Sequence, residues 1–112
     1  MFENIPKIGQ RIRFFRMMKG ISQTRLSRIA GKSHTYINRV ENGTKRPSAA
    51  IIAKLCEYFE ISIKDFFDFD IDAVEKAGLL DVIDETNNLN TRKEILKERF
   101  RELCKNKDIM YI

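Results

Sequence analysis

The chain has 112 residues, which is long enough for one compact domain with, at most, a short appendage. Hydrophobic residues make up 43% of it, and the formal net charge is +5. No apolar run approaches the length that crosses a bilayer, and the N-terminus lacks the layout of a signal peptide, so we expect a cytoplasmic protein with no membrane segment. Cys56 and Cys104 lack the spacing of a metal site or a disulfide framework.

Positive charge is concentrated in the first part of the chain. Residues 1–67 carry 13 Lys/Arg and 5 Asp/Glu, a net charge of +8, whereas residues 68–112 carry 8 Lys/Arg and 11 Asp/Glu, a net charge of −3. A basic first part favours binding to a polyanion. Charge alone does not distinguish such a protein from an ordinary basic domain with solvated side chains.

The first two helices are predicted before residue 31. Apolar side chains recur at positions i, i+4 and i+7 within residues 7–19, and Gly20 follows as a stop signal. Ser22 is a good N-cap for a second short helix. Gly31 ends that helix, because glycine adopts the left-handed conformation that a tight turn requires.

Three more helices are predicted by residue 67. Ser33 is expected to cap a third helix that runs to about Asn42, and Ser48 a fourth. Ser62 opens a capping-box-like stretch that begins a short fifth helix. Because no strand pattern competes, the sequence predicts an all-α fold with a compact five-helix domain over residues 1–69.

A helical segment over residues 70–112 follows this domain. It is acidic at first and is interrupted by Gly78, and a capping box at Thr91–Glu94 predicts the start of a last helix. The apolar face of that helix consists of Leu96, Phe100 and Leu103. These side chains either pack back onto the first domain or face a second copy of the chain, and we favour a dimer or partner contact.

The predicted third helix has two chemically different faces. At about 100° per residue, Ile37 and Val40 point inward. An outer arc of about 140° contains only polar or charged side chains: His34, Thr35, Asn38, Arg39 and Asn42. Amide, hydroxyl and guanidinium groups are the ones that recognise base edges in the major groove. The small Ser27 and the turn at Gly31 allow this helix to pack closely on its predecessor while its outer face stays free.

Residues 8–67 resemble the Cro-like (XRE-type) helix-turn-helix family, to which the phage repressors belong. The matching strings are "IGQRIRFFR", "KGISQTRLSRIAG", "SHTYINRVENGTKRPS" and "LCEYFEISIKDFF". The resemblance implies a lambda-repressor-like DNA-binding domain of five helices. It also implies that the third helix, about residues 34–42, enters the major groove of double-stranded DNA.

The resemblance further implies roles for individual residues. It places His34, Thr35, Asn38 and Arg39 at base-reading positions. It places Gln23, Asn42, Thr44, Lys45 and Arg46 at the sugar-phosphate backbone. Lys32 replaces the apolar residue that the family prefers in the turn, and its ammonium is expected to reach DNA as well. Arg16 and Glu41 occupy positions that pair in some members and would hold the first and third helices together.

Two functions remain open at this point. The leading hypothesis is a sequence-specific, repressor-like regulator that binds a palindromic site as a homodimer, since paired helix-turn-helix units meet half-sites about 34 Å apart. The alternative is a protein-interaction or antitoxin-like module whose C-terminal segment binds a protein antagonist or other partner. No nucleotide-binding glycine motif, nucleophile with a base, or metal-ligand cluster points to an enzyme, and we expect no cofactor. We expect the protein in the cytoplasm at the nucleoid.

Overall fold

A computed structural model describes residues 7–81 and 88–107, with the side chains of residues 106 and 107 left aside. The described residues form seven α-helices and no strand, which confirms the all-α prediction. The helices are α1 (Ile8–Lys19), α2 (Gln23–Ile29), α3 (Tyr36–Glu41), α4 (Ala49–Phe59), α5 (Ile63–Asp68), α6 (Ile71–Lys76) and α7 (Leu89–Lys107). Residues 1–6, 82–87 and 108–112, which belong to the predicted domain and segment, lie outside the described residues.

Serine side chains cap three helices as predicted. The Oγ atoms of Ser22, Ser48 and Ser62 each accept a hydrogen bond from the backbone N–H three residues later, at 3.0–3.2 Å. Each bond satisfies one of the N–H groups that the first turn of a helix leaves without an intrahelical partner. These local signals therefore set the starts of α2, α4 and α5.

Two other helices begin at residues that differ from the prediction. α3 begins at Tyr36 rather than near Ser33, because the Ser33 carbonyl accepts a hydrogen bond from the Tyr36 N–H at 3.0 Å and closes a turn first. α7 begins at Leu89, where the Asn88 Oδ1 accepts a hydrogen bond from the Thr91 N–H at 3.0 Å. The predicted start at a Thr91 capping box is therefore wrong by about one turn.

α1 is the central helix of the fold and packs against α3, α4 and α7. Its buried Arg11 donates hydrogen bonds from Nη1 to the carbonyls of Phe66 (2.8 Å) and Phe69 (2.6 Å), and Arg13 donates from Nη2 to the Leu80 carbonyl (2.9 Å). Carbonyls in the last turn of a helix lack intrahelical partners. The α1 guanidinium groups supply donors to them and so fix the chain that follows α5 and α6.

The aromatic centre of the core joins both ends of the chain. The Phe14 ring on α1 lies 4.8 Å from the Phe69 ring, 5.1 Å from the Phe100 ring and 5.2 Å from the Phe15 ring, centroid to centroid. Such stacked and edge-on pairs add to the stabilisation from burial alone. Because Phe100 belongs to α7, the C-terminal helix is part of the same core as the first five helices.

This packing corrects the assignment of Leu96, Phe100 and Leu103 as dimer or partner contacts. In the single chain their exposed fractions are 0%, 1% and 8%. Burying an apolar side chain of this size contributes roughly 1.5–3 kcal/mol to the free energy of unfolding. All three side chains are buried by their own chain and need no second copy. Of the two arrangements left open by the sequence, the structure shows the one in which α7 packs back onto the first helices.

Gly9 marks the closest approach between α1 and α3. A Cβ atom built on Gly9 would lie 2.6 Å from the Val40 carbonyl oxygen and 3.0 Å from the Glu41 carbonyl oxygen. Real Cβ atoms essentially never come closer than 3.0 Å to another heavy atom, so the contact with the Val40 carbonyl oxygen would be a clash. The absence of a side chain therefore allows the start of α1 to rest on the end of α3.

We expect Gly9→Ala to lower the free energy of unfolding by about 1–3 kcal/mol, the range of overpacked sites. Alanine favours a helix over glycine, so helix propensity alone predicts the opposite sign. The clash decides the sign, because the obstructing atoms are backbone atoms that no rotamer change can move. Urea denaturation measures the change, with Gln10→Ala on the next, partly exposed residue as the matched control. A Gly9→Ala protein as stable as the wild type would contradict the close approach.

Candidate nucleic-acid interface

α2 and α3 form a compact pair joined by the turn at residues 30–35. Gly31 in this turn has φ +74°, a conformation that residues with a side chain rarely adopt. Leu26 and Ile37 are fully buried and Val40 is 2% exposed, so one side of α3 is fixed against the body of the protein. The other side of α3 is left to solvent.

Ser27 joins the two helices through its hydroxyl group. The buried Oγ donates a hydrogen bond to the Gln23 carbonyl and accepts one from the Ile37 N–H, both at 2.9 Å. The second bond caps α3, whose own N-cap residue, Thr35, makes no side-chain cap bond. From the sequence, a small residue at position 27 is expected to let the two helices approach closely. The cap on α3 is not expected, because the Ile37 N–H that donates to Ser27 lies ten residues further along the chain.

The four residues predicted to read bases all lie on the solvent side. Asn38 and Arg39 are exposed on α3 itself. His34 is exposed and Thr35 partly exposed, and both lie in the turn that precedes α3 rather than on the helix. The predicted base-reading face therefore consists of two residues on α3 and two residues in the turn before it.

The loop after α3 exposes four of the residues predicted to bind phosphate: Asn42, Thr44, Lys45 and Arg46. The Thr44 Oγ1 donates a hydrogen bond to the Arg39 carbonyl at 3.2 Å, which orders the loop against the end of α3. At the other end of α3, the exposed Lys32 places its Nζ 5.6 Å from the centre of the Tyr36 ring. Cationic groups thus lie both before and after the helix.

The electrostatics of this surface have one sign. Residues 22–47 contain six Lys/Arg and a single acidic residue, Glu41. The side chain of Glu41 is 1% exposed, so it contributes no surface carboxylate. All six cationic residues are exposed: Arg25, Arg28, Lys32, Arg39, Lys45 and Arg46. The charged side chains that residues 22–47 expose are consequently all cationic.

Glu41 forms a buried ion pair with Arg16 of α1, as expected from the sequence. Arg16 Nε lies 2.7 Å from Glu41 Oε2, and Arg16 Nη2 lies 3.2 Å from Glu41 Oε1. Arg16 Nη1 also donates to the Ile21 carbonyl at 2.9 Å. The Arg16 side chain is 2% exposed. Paired donors facing paired acceptors fix both distance and orientation, so this contact sets where the end of α3 lies on α1.

A chain of side-chain amides runs from Glu41 to the surface of α3. Gln23 Nε2 donates to Glu41 Oε1 at 2.9 Å, Asn38 Nδ2 donates to Gln23 Oε1 at 3.1 Å, and Asn42 Nδ2 donates to Asn38 Oδ1 at 3.2 Å. A carboxylate only accepts, so it turns the NH₂ group of Gln23 inward and the oxygen outward. That choice in turn fixes the orientation of the Asn38 amide. No sequence spacing signals this arrangement, and the sequence had suggested only a phosphate contact for Gln23.

We expect Arg16→Met or Glu41→Leu alone to lower the free energy of unfolding by about 3–5 kcal/mol, because each leaves an uncompensated buried charge. The double variant should lose clearly less free energy of unfolding than the sum of the losses in the two single variants. A double-mutant cycle in urea measures this coupling. Lys64→Ala, which breaks the exposed pair between Lys64 and Asp68, should cost less than about 1 kcal/mol. Strictly additive losses for Arg16 and Glu41 would contradict a coupled pair.

The described residues contain no group of three or more His, Cys, Asp or Glu side chains that could hold a metal ion. No helix in residues 7–81 or 88–107 is long and apolar enough to cross a membrane.

The two-helix unit and its positive surface define a helix-turn-helix DNA-binding domain. A helix-turn-helix family model matches residues 12–66. The chain is 39% identical over 54 residues to the uncharacterized HTH-type transcriptional regulator YazB of Bacillus subtilis, covering 48% of this chain and 78% of YazB. The chain belongs to the XRE-type helix-turn-helix family of DNA-binding regulators.

Two further relatives extend the comparison. The antitoxin PezA of Streptococcus pneumoniae is 32% identical over 92 residues, covering 82% of this chain and 53% of PezA. The HTH-type transcriptional regulator PuuR of Escherichia coli is 29% identical over 59 residues, covering 53% of this chain and 32% of PuuR. The chain thus spans about half the length of PezA and a third of PuuR. No solved structure matches the chain significantly.

Proposed function

We propose that this chain binds double-stranded DNA sequence-specifically and acts as a repressor-like transcriptional regulator rather than as an enzyme. The observation that carries the proposal is the surface of residues 22–47, where six cationic side chains are exposed and the single carboxylate is buried. Such a surface matches the charge of the phosphate backbone. The names of YazB and PuuR, both regulators, support a role in transcription. Chromosomal DNA as the ligand would place the protein in the cytoplasm at the nucleoid.

Base recognition in this proposal comes from α3 and the turn before it. α3 has six residues and is about 9 Å long, so it presents few side chains to a major groove. Arg39 has the donors for a bidentate contact with guanine, and the Asn38 amide suits adenine. His34 and Thr35 extend the contact from the preceding turn.

Binding energy in this proposal comes mainly from cations at the two ends of α3. Lys32 precedes the helix and Lys45 and Arg46 follow it, so these groups can contact phosphates on either side of the groove that α3 enters. Asn42 and Thr44 add hydrogen-bonding groups beside them. Lysine and arginine contacts release condensed counterions from DNA, and affinity then falls as salt concentration rises.

Gln23 has a positioning role in addition to any phosphate contact. Its amide is held by Glu41 on one side and holds Asn38 on the other. Asn38 can read adenine only if its oxygen and its NH₂ group face the correct edge of the base. Because the buried carboxylate determines which way Gln23 points, Gln23 keeps Asn38 in one of its two amide orientations.

We predict that Arg39→Ala relaxes preference at one base position at a cost of roughly 1–3 kcal/mol, whereas Lys45→Ala weakens binding to all sequences alike and reduces the salt slope by about one. Selection of bound sequences from random DNA, followed by binding at several salt concentrations, separates these effects. Lys76→Ala, an exposed lysine on α6, is the matched control and should change neither. An Arg39→Ala protein with unchanged affinity and unchanged preference would contradict this reading face.

For Gln23→Met, which keeps the length of the side chain and removes both polar groups, we predict relaxed preference at the base that Asn38 reads. The freed Asn38 amide could then adopt either orientation, so a second base would be accepted at that position. Competition binding with site variants changed at single base pairs measures the effect. If Gln23 served phosphate binding alone, Gln23→Met would weaken every site variant by the same factor and leave the ranking unchanged.

We also propose that two copies bind a palindromic site as a homodimer. A single α3 reads few bases, and two helix-turn-helix units on one side of a duplex meet half-sites about 34 Å apart. The interface must use a surface other than Leu96, Phe100 and Leu103, which are buried in their own chain. The selected DNA sequences test this proposal directly, since a dimer yields an inverted repeat and a monomer yields a single half-site.

A second candidate function, an antitoxin-like module with a protein antagonist as partner, is supported by one observation. The match to PezA covers 92 residues, whereas the family match covers residues 12–66. The similarity to a protein named as an antitoxin therefore extends beyond the helix-turn-helix region. Co-expression with the product of the neighbouring gene tests this function: relief of a growth defect supports it, and the absence of any effect on growth argues against it.

A further inference from the structure

A cavity of about 220 Å³ lies between α1, the end of α4 and α7, within the described residues. Five aromatic rings line it: Phe14, Phe15, Phe59, Phe69 and Phe100. Apolar, aromatic walls with a few polar groups at the opening are typical of sites for small molecules. The cavity adjoins none of the residues assigned above to DNA contact.

Three lysines and one glutamate also line the cavity: Lys19, Lys93, Lys97 and Glu60. Lys19 is already paired, because its Nζ lies 3.0 Å from Glu60 Oε1. Lys93 and Lys97 lie one turn apart on α7, and neither has an ion pair or a side-chain hydrogen bond with the described residues. Among the charged side chains that line the cavity, Lys93 and Lys97 are therefore the two without an ion-pair partner in the described part of the chain.

Lys93 and Lys97 are neighbouring cations on the surface of α7. Like charges four residues apart on a helix repel each other. Both side chains are only partly exposed, and the stem of Lys93 lies against Gly20 at the end of α1, where a Cβ would meet Lys93 Cδ at 3.0 Å. Solvent therefore compensates these charges less fully than it would on an open helix face.

We propose that this cavity binds a small amphipathic anion, a carboxylate with an aliphatic or aromatic body. The body would fill the space among the phenylalanine rings, and the carboxylate would meet Lys93 and Lys97. At about 30 Å³ for each atom, the share of a water molecule in the liquid, the volume suits roughly seven carbon atoms. A bound anion would join α7 to α1. This site does not depend on the proposed binding to DNA.

Isothermal titration calorimetry with three probes of equal chain length tests the proposal on the full chain. Octanoate, octanol and octylamine share an apolar tail of suitable size and differ in the charge of the head group. Octanoate should bind at least about fivefold more tightly than octanol, because two partly exposed ion pairs supply a factor of about that size. Octylamine should bind most weakly of the three. Equal binding of octanoate and octanol, or no binding of octanoate, would overturn the proposal.

Two variants link any binding to this cavity. Lys93→Gln together with Lys97→Gln should remove the preference for octanoate over octanol, whereas Lys105→Gln, an exposed lysine on the same helix, should leave it unchanged. Ile61→Trp, which places a larger side chain in the lining, should weaken octanoate and octanol alike. Far-UV circular dichroism and the thermal midpoint verify that each variant is folded. Octanoate binding that survives both variants would place the ligand elsewhere and refute the site.

Discussion

The buried pair of Arg16 and Glu41 is the interaction on which the DNA-binding surface depends. It joins α1 to the end of α3 through two charge-assisted hydrogen bonds, and it removes the single carboxylate of residues 22–47 from the surface. A buried ion pair is not in itself a source of large stability, since desolvation offsets much of the attraction. Its value here lies in geometry: it fixes α3 relative to the body and starts the amide chain that orients Asn38.

α1 transmits this constraint to the whole molecule. One part of it meets α3 backbone to backbone at Gly9, and its phenylalanines reach α7 at Phe100. The C-terminal helix therefore supports the same scaffold that holds the reading face, instead of standing apart from it. Removal of α7 would expose apolar side chains of the core to solvent. The role of this helix is therefore better studied with point substitutions than with truncation. A ligand between α1 and α7 would act on that scaffold.

The features that could be predicted from the sequence are those encoded locally or in a shared family pattern. The caps at Ser22, Ser48 and Ser62 depend on residues three positions apart, and the ion pair of Arg16 and Glu41 follows from the family pattern. The roles of His34, Asn38, Arg39 and the loop lysine and arginine in DNA contact remain predictions from that pattern.

The features that could not be predicted depend on contacts between distant residues. The start of α3 is fixed in part by a hydroxyl ten residues earlier, and Gln23 meets Glu41 across 18 residues. An apolar face shows that a helix packs but does not identify the surface it packs against. The sequence therefore leaves two partners open for Leu96 and Phe100, their own chain or a second copy, and the structure buries them in their own chain. Because the surface that α7 packs against cannot be identified from the sequence, the cavity beneath Lys93 and Lys97 cannot be predicted from it either.

Nuclear magnetic resonance can show whether the surface around α3 meets the duplex. The backbone amide shifts of the full chain would be followed during titration with its selected DNA site, alongside a scrambled duplex of equal length. If this surface meets the duplex, the selected site shifts amides mainly within residues 22–47 and leaves α6 and the exposed side of α7 unchanged. Shifts concentrated in α6 and α7, with residues 34–46 unaffected, would contradict it.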